Sequence, residues 1–321
     1  MHVRKKAHTY LFYCCAVLVY LLCLPADDAI ARRKSGTPPG IKVLTYNVYG
    51  FRLKNMKRFQ SLMRIIYHSD ADVVALQEVS SSFLKNLLGQ KWVRKRYYGI
   101  LFPSKKTPHS GLYTLSKYPI EKYQYIYLPS KKNRRALLTS IHIRGNPVAI
   151  ANVHLESKLR DNYLRAKQLQ IIFKILKNVE NAIVLGDFNF GEGEQPESSY
   201  LDRRYVDLWR SLRFDLPGYT WNMRKNRLAW RNAFRGERSR RIDRILIKSK
   251  RWRPQDIRIV GTKPIRYQVK EWYRVKKRNK YRWRYRLKYR HLFPSDHYGL
   301  VGTLTGKTQM HVSSTALLQK R

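Results

Sequence analysis

The sequence predicts an α/β fold: a four-layer α/β sandwich, with two packed mixed β-sheets flanked by helices. Three observations carry this. Apolar runs of strand length outnumber helical stretches. The helices fall between strand pairs in each half of the chain, so two sheets can pack face to face with helices outside. No repeat at solenoid spacing occurs, and composition shifts only near the N-terminus and at residues 263–291. With 43% apolar residues in 321, the chain can fill the core of one large domain.

The elements follow in order. Arg4, Lys5 and Lys6 precede an apolar run over 10–25, and Ala29-Ile30-Ala31 offers a small-x-small cleavage site. Residues 1–31 therefore read as a secretory signal peptide, with an uncleaved signal anchor as the lesser alternative. The run is short for a spanning helix. All three cysteines lie in this segment, and Cys23 follows Leu22, not a small residue, which argues against a lipoprotein site. The mature chain then has neither disulfides nor thiolate metal ligands. Residues 32–40, "RRKSGTPPG", form a linker, and 41–306 form the catalytic domain. Strands are expected at 41–48, 72–79, 111–120, 135–143, 147–155, 181–190, 240–248, 256–261 and 297–305. Helices are expected at 55–69, where Met56, Phe59, Leu62, Met63 and Ile66 keep helical spacing, and at 81–89, 159–179 and 205–213. Residues 307–321 form a polar tail.

Several strands end in acidic, amide or imidazole groups. "LTYNV" gives Asn47, "VVALQEV" Glu78, "IANVHLES" His154, "IVLGDFN" Asp187 and Asn189, "RIDRIL" Asp243, and "PSDHYGL" Asp296 and His297. One such residue is usually a turn residue. Together, on one rim of a sandwich, they make a coherent site. Carboxylates with amide oxygens suit Mg²⁺ or Mn²⁺. Histidines can stabilise developing phosphorane charge or protonate a leaving group. No Ser or Cys nucleophile elbow is present, which favours hydrolysis by activated water.

In order and spacing, "TYN", "LQEV", "SGLYTLSKYPI", "NVHLES", "GDFN", "IDRILI" and "SDHYGL" resemble the endonuclease/exonuclease/phosphatase superfamily, which has a deoxyribonuclease I-like fold. The resemblance spans Ile41 to about Thr305 and implies roles. Glu78 would be the principal metal ligand, with Asn47 beside it and Asp296 near the metal. Asp187 would activate or position water, and Asn189 would contact the scissile phosphate. His154 would stabilise the transition state. Asp243 would orient His297, which would contact the phosphate and assist proton transfer. The base could be Asp187 or His297. The nearest branches are the 5′-tyrosyl-DNA phosphodiesterases and bacterial nuclease-like members. The first of these carries a basic residue soon after its "GD-N", whereas this chain reads "GDFNFGEGEQPE". That departure points away from removal of a protein adduct.

The net charge is +45, from 66 Lys+Arg against 21 Asp+Glu. A polyanionic partner is the natural inference: nucleic acid (DNA or RNA) first, an anionic membrane surface second. Like-charge repulsion argues for a monomer without a stable protein partner. Residues 265–290 hold twelve Lys/Arg and one acidic residue, Glu271, in two alternating runs around "KKRNK", a predicted β-hairpin. Arg282, Arg284, Arg286, Lys288 and Arg290 are expected to contact nucleic acid, while the alternating aromatic face packs on the sandwich; stacking of Trp272 and Trp283 on unpaired bases is the lesser alternative. Arg240 and Arg241, just before Asp243, are expected to extend the same groove.

The expected function is a secreted Mg²⁺- or Mn²⁺-dependent phosphodiesterase. A nuclease cutting DNA or RNA without a covalent intermediate leads. A sphingomyelinase-like phospholipase C and a tyrosyl-DNA phosphodiesterase are the alternatives. A non-enzymatic binder is disfavoured because every metal and phosphate position is filled.

Overall fold

In a computed structural model, the described residues are 40–52, 55–100, 111–143, 145–277 and 280–307. The segment read as a signal peptide, most of the expected linker and nearly all of the expected polar tail lie outside them. The strands are β1 (Ile41–Asn47), β2 (Val73–Gln77), β3 (Tyr98–Gly99), β4 (Tyr113–Ser116), β5 (Ile120–Tyr127), β6 (Arg135–Ile143) and β7 (Asn146–His154). They continue with β8 (Ala182–Asp187), β9 (Val206–Asp207), β10 (Asp243–Lys248), β11 (Trp252–Val260), β12 (Ile265–Lys277), β13 (Lys280–Leu292) and β14 (Gly299–Gly306). The helices are α1 (Met56–Ser69), α2 (Ser81–Leu88), α3 (Lys91–Arg96), α4 (Asn162–Ile175), α5 (Leu208–Leu212) and α6 (Arg227–Asn232).

Two six-stranded sheets form, ordered β11-β14-β1-β2-β4-β3 and β5-β6-β7-β8-β10-β9. Each is antiparallel except for one central parallel pair, β1 with β2 and β7 with β8. The alternation of β1 explains the layering. Ile41 and Val43 face the second sheet with Ile150, Ile183, Leu185 and Ile245. Leu44 and Tyr46 point outward, under Phe59, Leu62, Ile66 and Phe83 of α1 and α2. On the far side Leu169, Ile172 and Phe173 of α4 cover Ala151, Val153 and Val184. Three apolar layers separate four layers of structure, as predicted.

Local chemistry sets the boundaries. Asn55 caps α1 through Lys57 N–H, and Ser80 caps α2 through Phe83 N–H. The strand expected at 111–120 is two strands, β4 in the first sheet and β5 in the second. Ser116 Oγ accepts Tyr118 N–H in the crossover, and Pro119 offers no ladder donor. The helix expected at 159–179 is shorter and is preceded by a 3₁₀ turn at Leu159–Asp161. The segment 205–213 splits into β9 and α5, because Asp207 turns its carboxylate to the N–H groups of Trp209 and Arg210. Gly186, at φ +148°, brings β8 so close to β7 that a Cβ would lie 2.0 Å from Val153 O. This fixes the strand just before Asp187.

The predicted hairpin forms as β12 and β13, which pair only with each other. Most of its aromatic side chains do not pack on the sandwich: Trp272, Trp283 and Tyr289 are exposed by 56%, 62% and 50%, while Tyr267 at its base lies under Lys57 of α1. The two-face expectation also changes. Residues directly opposite each other share a face, so the cationic row of β13 shares one with Tyr267, Glu271 and Tyr273 of β12. The aromatic row of β13 shares the other with Arg266, Lys270, Trp272 and Arg274. Among the described residues, no helix is long and apolar enough to cross a membrane.

Candidate active site

The C-terminal ends of the two central parallel pairs meet. There β1 delivers Asn47, β2 ends one residue before Glu78, and β7 and β8 end on His154 and Asp187. Asp243, the first residue of β10, pairs in register with Asp187, and Asp296 and His297 stand just before β14. All but Asn47 and Asp243 line one cleft of about 330 Å³. Asn47 and Asp243 lie beneath, fully buried. The eight residues read as catalytic and metal-binding are thus brought together. Glu78 and Asn189 sit at left-handed backbone angles, φ 55° and 57°, and turn their side chains off the strand ends.

Asp187 is the centre of the hydrogen bonding. Its Oδ2 accepts from Asn47 Nδ2 at 3.0 Å, and His154 Nε2 lies 3.3 Å and His297 Nε2 3.7 Å from it. Its Oδ1 accepts Asn189 N–H at 3.0 Å. Burial nevertheless pushes its pKa up to about 7, only partly offset by His297. Asn47 also donates to Glu78 Oε1 at 3.4 Å, while its carbonyl accepts Tyr49 N–H. Asn189 spends one amide hydrogen on Leu155 O.

The two histidines are opposites. Burial would lower the pKa of His297, but Asp243 and Asp187 outweigh it and raise it well above the ordinary value. Its Nδ1 is 2.9 Å from Asp243 Oδ2, and Trp221 packs edge-on against the ring. Burial, with the neighbouring Arg134, holds His154 well below its ordinary value. Arg134 Nη1 donates to His154 Nδ1 at 2.8 Å, which leaves the ring proton on Nε2, facing Asp187.

Oxygen donors dominate the other side. Burial raises the pKa of Glu78, and repulsion from Asp296 adds to it. Asp296 is steadied by Asn232 Nδ2 at 2.8 Å and Ser295 Oγ at 3.1 Å. Two facing carboxylates with one amide neighbour fit a hard divalent cation. Asp187, Asp243 and His297 also lie within metal-binding reach, their ligand atoms within 4.8 Å of one another. There, however, a hydrogen bond already joins His297 to Asp243, and the nitrogen donor suits softer ions. The Glu78–Asp296 side fits better.

Arg240 and Arg241 are not free to meet phosphate, contrary to the sequence reading. Arg241 is 1% exposed, held by Asp207 at 2.9 Å and Glu192 at 2.7 Å. Arg240 is 5% exposed and pairs with Glu194 at 3.0 Å and with Glu237. The acidic loop after "GDFN" supplies Glu192 and Glu194 to these arginines. Conversely, Arg134 and Lys132, which line the cleft, were not singled out from the sequence. Neither was the buried Gln77 Nε2–Asn152 Oδ1 bond of 2.8 Å that ties the sheets together beneath the site. The "KKNRR" before β6 looks like any basic turn. Only the side-chain contact of Arg134 with His154 at the end of β7 gives it meaning.

A profile described as the Endonuclease/Exonuclease/phosphatase family matches residues 44–297. Human tyrosyl-DNA phosphodiesterase 2 is 28% identical over 214 residues, 63% of this chain and 56% of that protein. The chain thus spans little more than half the length of that curated relative. A Danio rerio tyrosyl-DNA phosphodiesterase 2 structure, complexed with a single-strand DNA product, superposes with a TM-score of 0.65 at 20% identity, covering 83% of this chain and 98% of that one. Sphingomyelinase C from Streptomyces griseocarneus gives 0.59 at 19% identity, covering 84% and 99%. These two likenesses speak to the fold. By the extent of its profile match and the order of its strand-end residues, the chain belongs to the endonuclease/exonuclease/phosphatase family.

Proposed function

We propose that this chain is a metal-dependent phosphodiesterase that hydrolyses nucleic acid with activated water and no covalent intermediate. The observation that carries the reading is His297, gripped by Asp243 and aimed at Asp187, across one cleft from Glu78 and Asp296. Glu78 and Asp296, with Asn47 beside them, would hold Mg²⁺ or Mn²⁺, which when bound neutralises phosphate charge and makes water acidic. With both ring nitrogens facing carboxylates, His297 carries two protons and acts as a charged donor, which leaves Asp187 as the base. Asp187 takes the proton of the attacking water. His297 directs its Nε2 proton at a phosphoryl oxygen on the side of the attacking water and stabilises the charge that develops there, while the departing oxygen takes its proton from solvent. Neutral His154 offers its Nε2 proton to Asp187 or to a phosphoryl oxygen, and Asn189 keeps one amide hydrogen for the phosphate. Arg134 and Lys132 add positive charge on the cleft wall.

Net charge +45 supports a nucleic-acid substrate. A second reading, release of a tyrosyl adduct from a 5′ DNA end, is favoured by the similarity to human tyrosyl-DNA phosphodiesterase 2. The reacting group is the same phosphodiester. Export by the N-terminal segment is proposed from its basic start and the apolar run over 10–25. The test is supercoiled plasmid with Mg²⁺, beside an EDTA control and Glu78→Ala. Nicking that needs both the metal and Glu78 is expected. An intact plasmid with release of tyrosine from a 5′-tyrosyl oligonucleotide would select the second reading. Choline-phosphate release from sphingomyelin alone would overturn both.

A further inference from the structure

Each strand of the β12–β13 arm has 13 residues, so the arm reaches roughly 40 Å along a ribbon no other strand covers. One face bears Tyr281, Trp283, Tyr285, Leu287 and Tyr289 in a single row. All five are at least 48% exposed. Opposite them Arg266 lies 3.8 Å over the Tyr289 ring, Lys270 4.6 Å over Tyr285, and Arg274 5.2 Å over Trp283. Trp272 meets Tyr285 at 5.0 Å and 60°. The rings are thus held in place from one side and open on the other.

Chemistry selects the occupant. A row of exposed rings this long marks a binding surface. Burying it in lipid would drag three cations out of water. A second copy would bring another highly cationic chain onto it. Duplex DNA keeps its base faces stacked internally. A single strand offers both things the face lacks, flat unpaired bases for the rings and phosphates for the cations beside them. The repeat along the row, two residues or about 6.7 Å, is also close to twice the separation of stacked bases. From this match, we infer that the aromatic face of the arm is a stacking platform for single-stranded nucleic acid. The inference rests on the proposed nucleic-acid reading and adds where unpaired bases beside the cut site would be held.

The test uses the full chain in EDTA with three fluorescent probes: a thymidine 20-mer, a 20-nucleotide abasic strand and a blunt 20-base-pair duplex. The thymidine strand should bind about tenfold or more tighter than the abasic one. Trp283→Ala/Tyr285→Ala should lose ten- to a hundredfold in affinity for it, while Trp283→Phe/Tyr285→Phe keeps most of it. Circular dichroism of each variant checks the fold. Equal binding of thymidine and abasic strands would overturn the inference, as would tighter binding of the duplex. So would dimerisation, or capture by phosphatidylserine vesicles without base discrimination, if the alanine pair abolished it. Hydrolysis of thymidine 5′-p-nitrophenyl phosphate by the unaltered chain reads the catalytic proposal separately. Hydrolysis without base discrimination sinks only the platform, and base discrimination without Glu78-dependent hydrolysis of any phosphodiester sinks only the enzyme.

Discussion

Asp243→Asn removes the charge behind His297 but keeps the shape. The ring then loses the carboxylate that holds Nδ1 at 2.9 Å and raises its pKa. The expected result is a fall in kcat of about 10²- to 10⁴-fold with little change in KM. The pH profile should move as well. His297 acts protonated, so wild-type activity lasts until pH rises through its raised pKa. With that pKa lowered, the alkaline limb should shift to lower pH, as a kcat–pH series would reveal. At this scale Asn47, Glu78, His154 and Asp187 were legible because each closes or follows an apolar run that reads as a buried strand, and Asp243, Asp296 and His297 because such a run follows them. Arg134 was not, because its role depends on β6 lying beside β7, a tertiary fact. Arg240 and Arg241 were misread for a related reason. Charge density shows in a sequence, but the partners Asp207, Glu192 and Glu194 lie up to 49 positions away.

Asp207 joins β9 to α5 and is shared by Arg241 and Arg244 at 2.9 and 3.0 Å. Burial would raise its pKa, but the two guanidiniums outweigh that and lower it. Its stabilising effect is therefore present above the unfolded carboxylate pKa, near 3.9, and is lost as pH falls through the lower folded value. Asp207→Asn should cost about 3 kcal/mol near neutrality, since it leaves buried arginines short of a partner. It should also flatten the acid limb of stability, read from urea unfolding at pH 7 and pH 3. Among elements, α1, α2, α4 and the β12–β13 pairing were legible from periodicity and a basic turn, whereas the short α3 and α6 were not expected. The faces of that hairpin were not. Alternation sorts the side chains of one strand, but register decides which row of the partner joins them.

For the whole molecule, charge predicts behaviour better than shape. Arg282, Arg284 and Arg290 carry no ion pair among the described residues, whereas Glu271 holds Arg286 and Lys288. Replacing Arg266, Lys270 and Arg274, which share a face with the rings, by Gln should reduce the slope of log K against log salt by about 2 for a single strand, measured in EDTA, whereas replacing Arg282, Arg284 and Arg290 on the opposite face should change it less. The four-layer architecture was legible because each sheet needs its buried parallel pair, and such pairs read as unbroken apolar runs. The sheet switch between β4 and β5 was hidden in a stretch that reads as continuous strand.

The arm interrupts the chain between β11 and β14, and those two strands already pair antiparallel, with Val260 opposite Gly299. Without residues 265–292, a loop that keeps Asp296 and His297 could join them. The ribbon is therefore a graft on a hairpin that closes without it, and the sandwich has no structural need of it. Such an insert can lengthen, shrink or be exchanged over evolutionary time while the reacting groups stay where they are, so target choice and chemistry can change independently in this lineage.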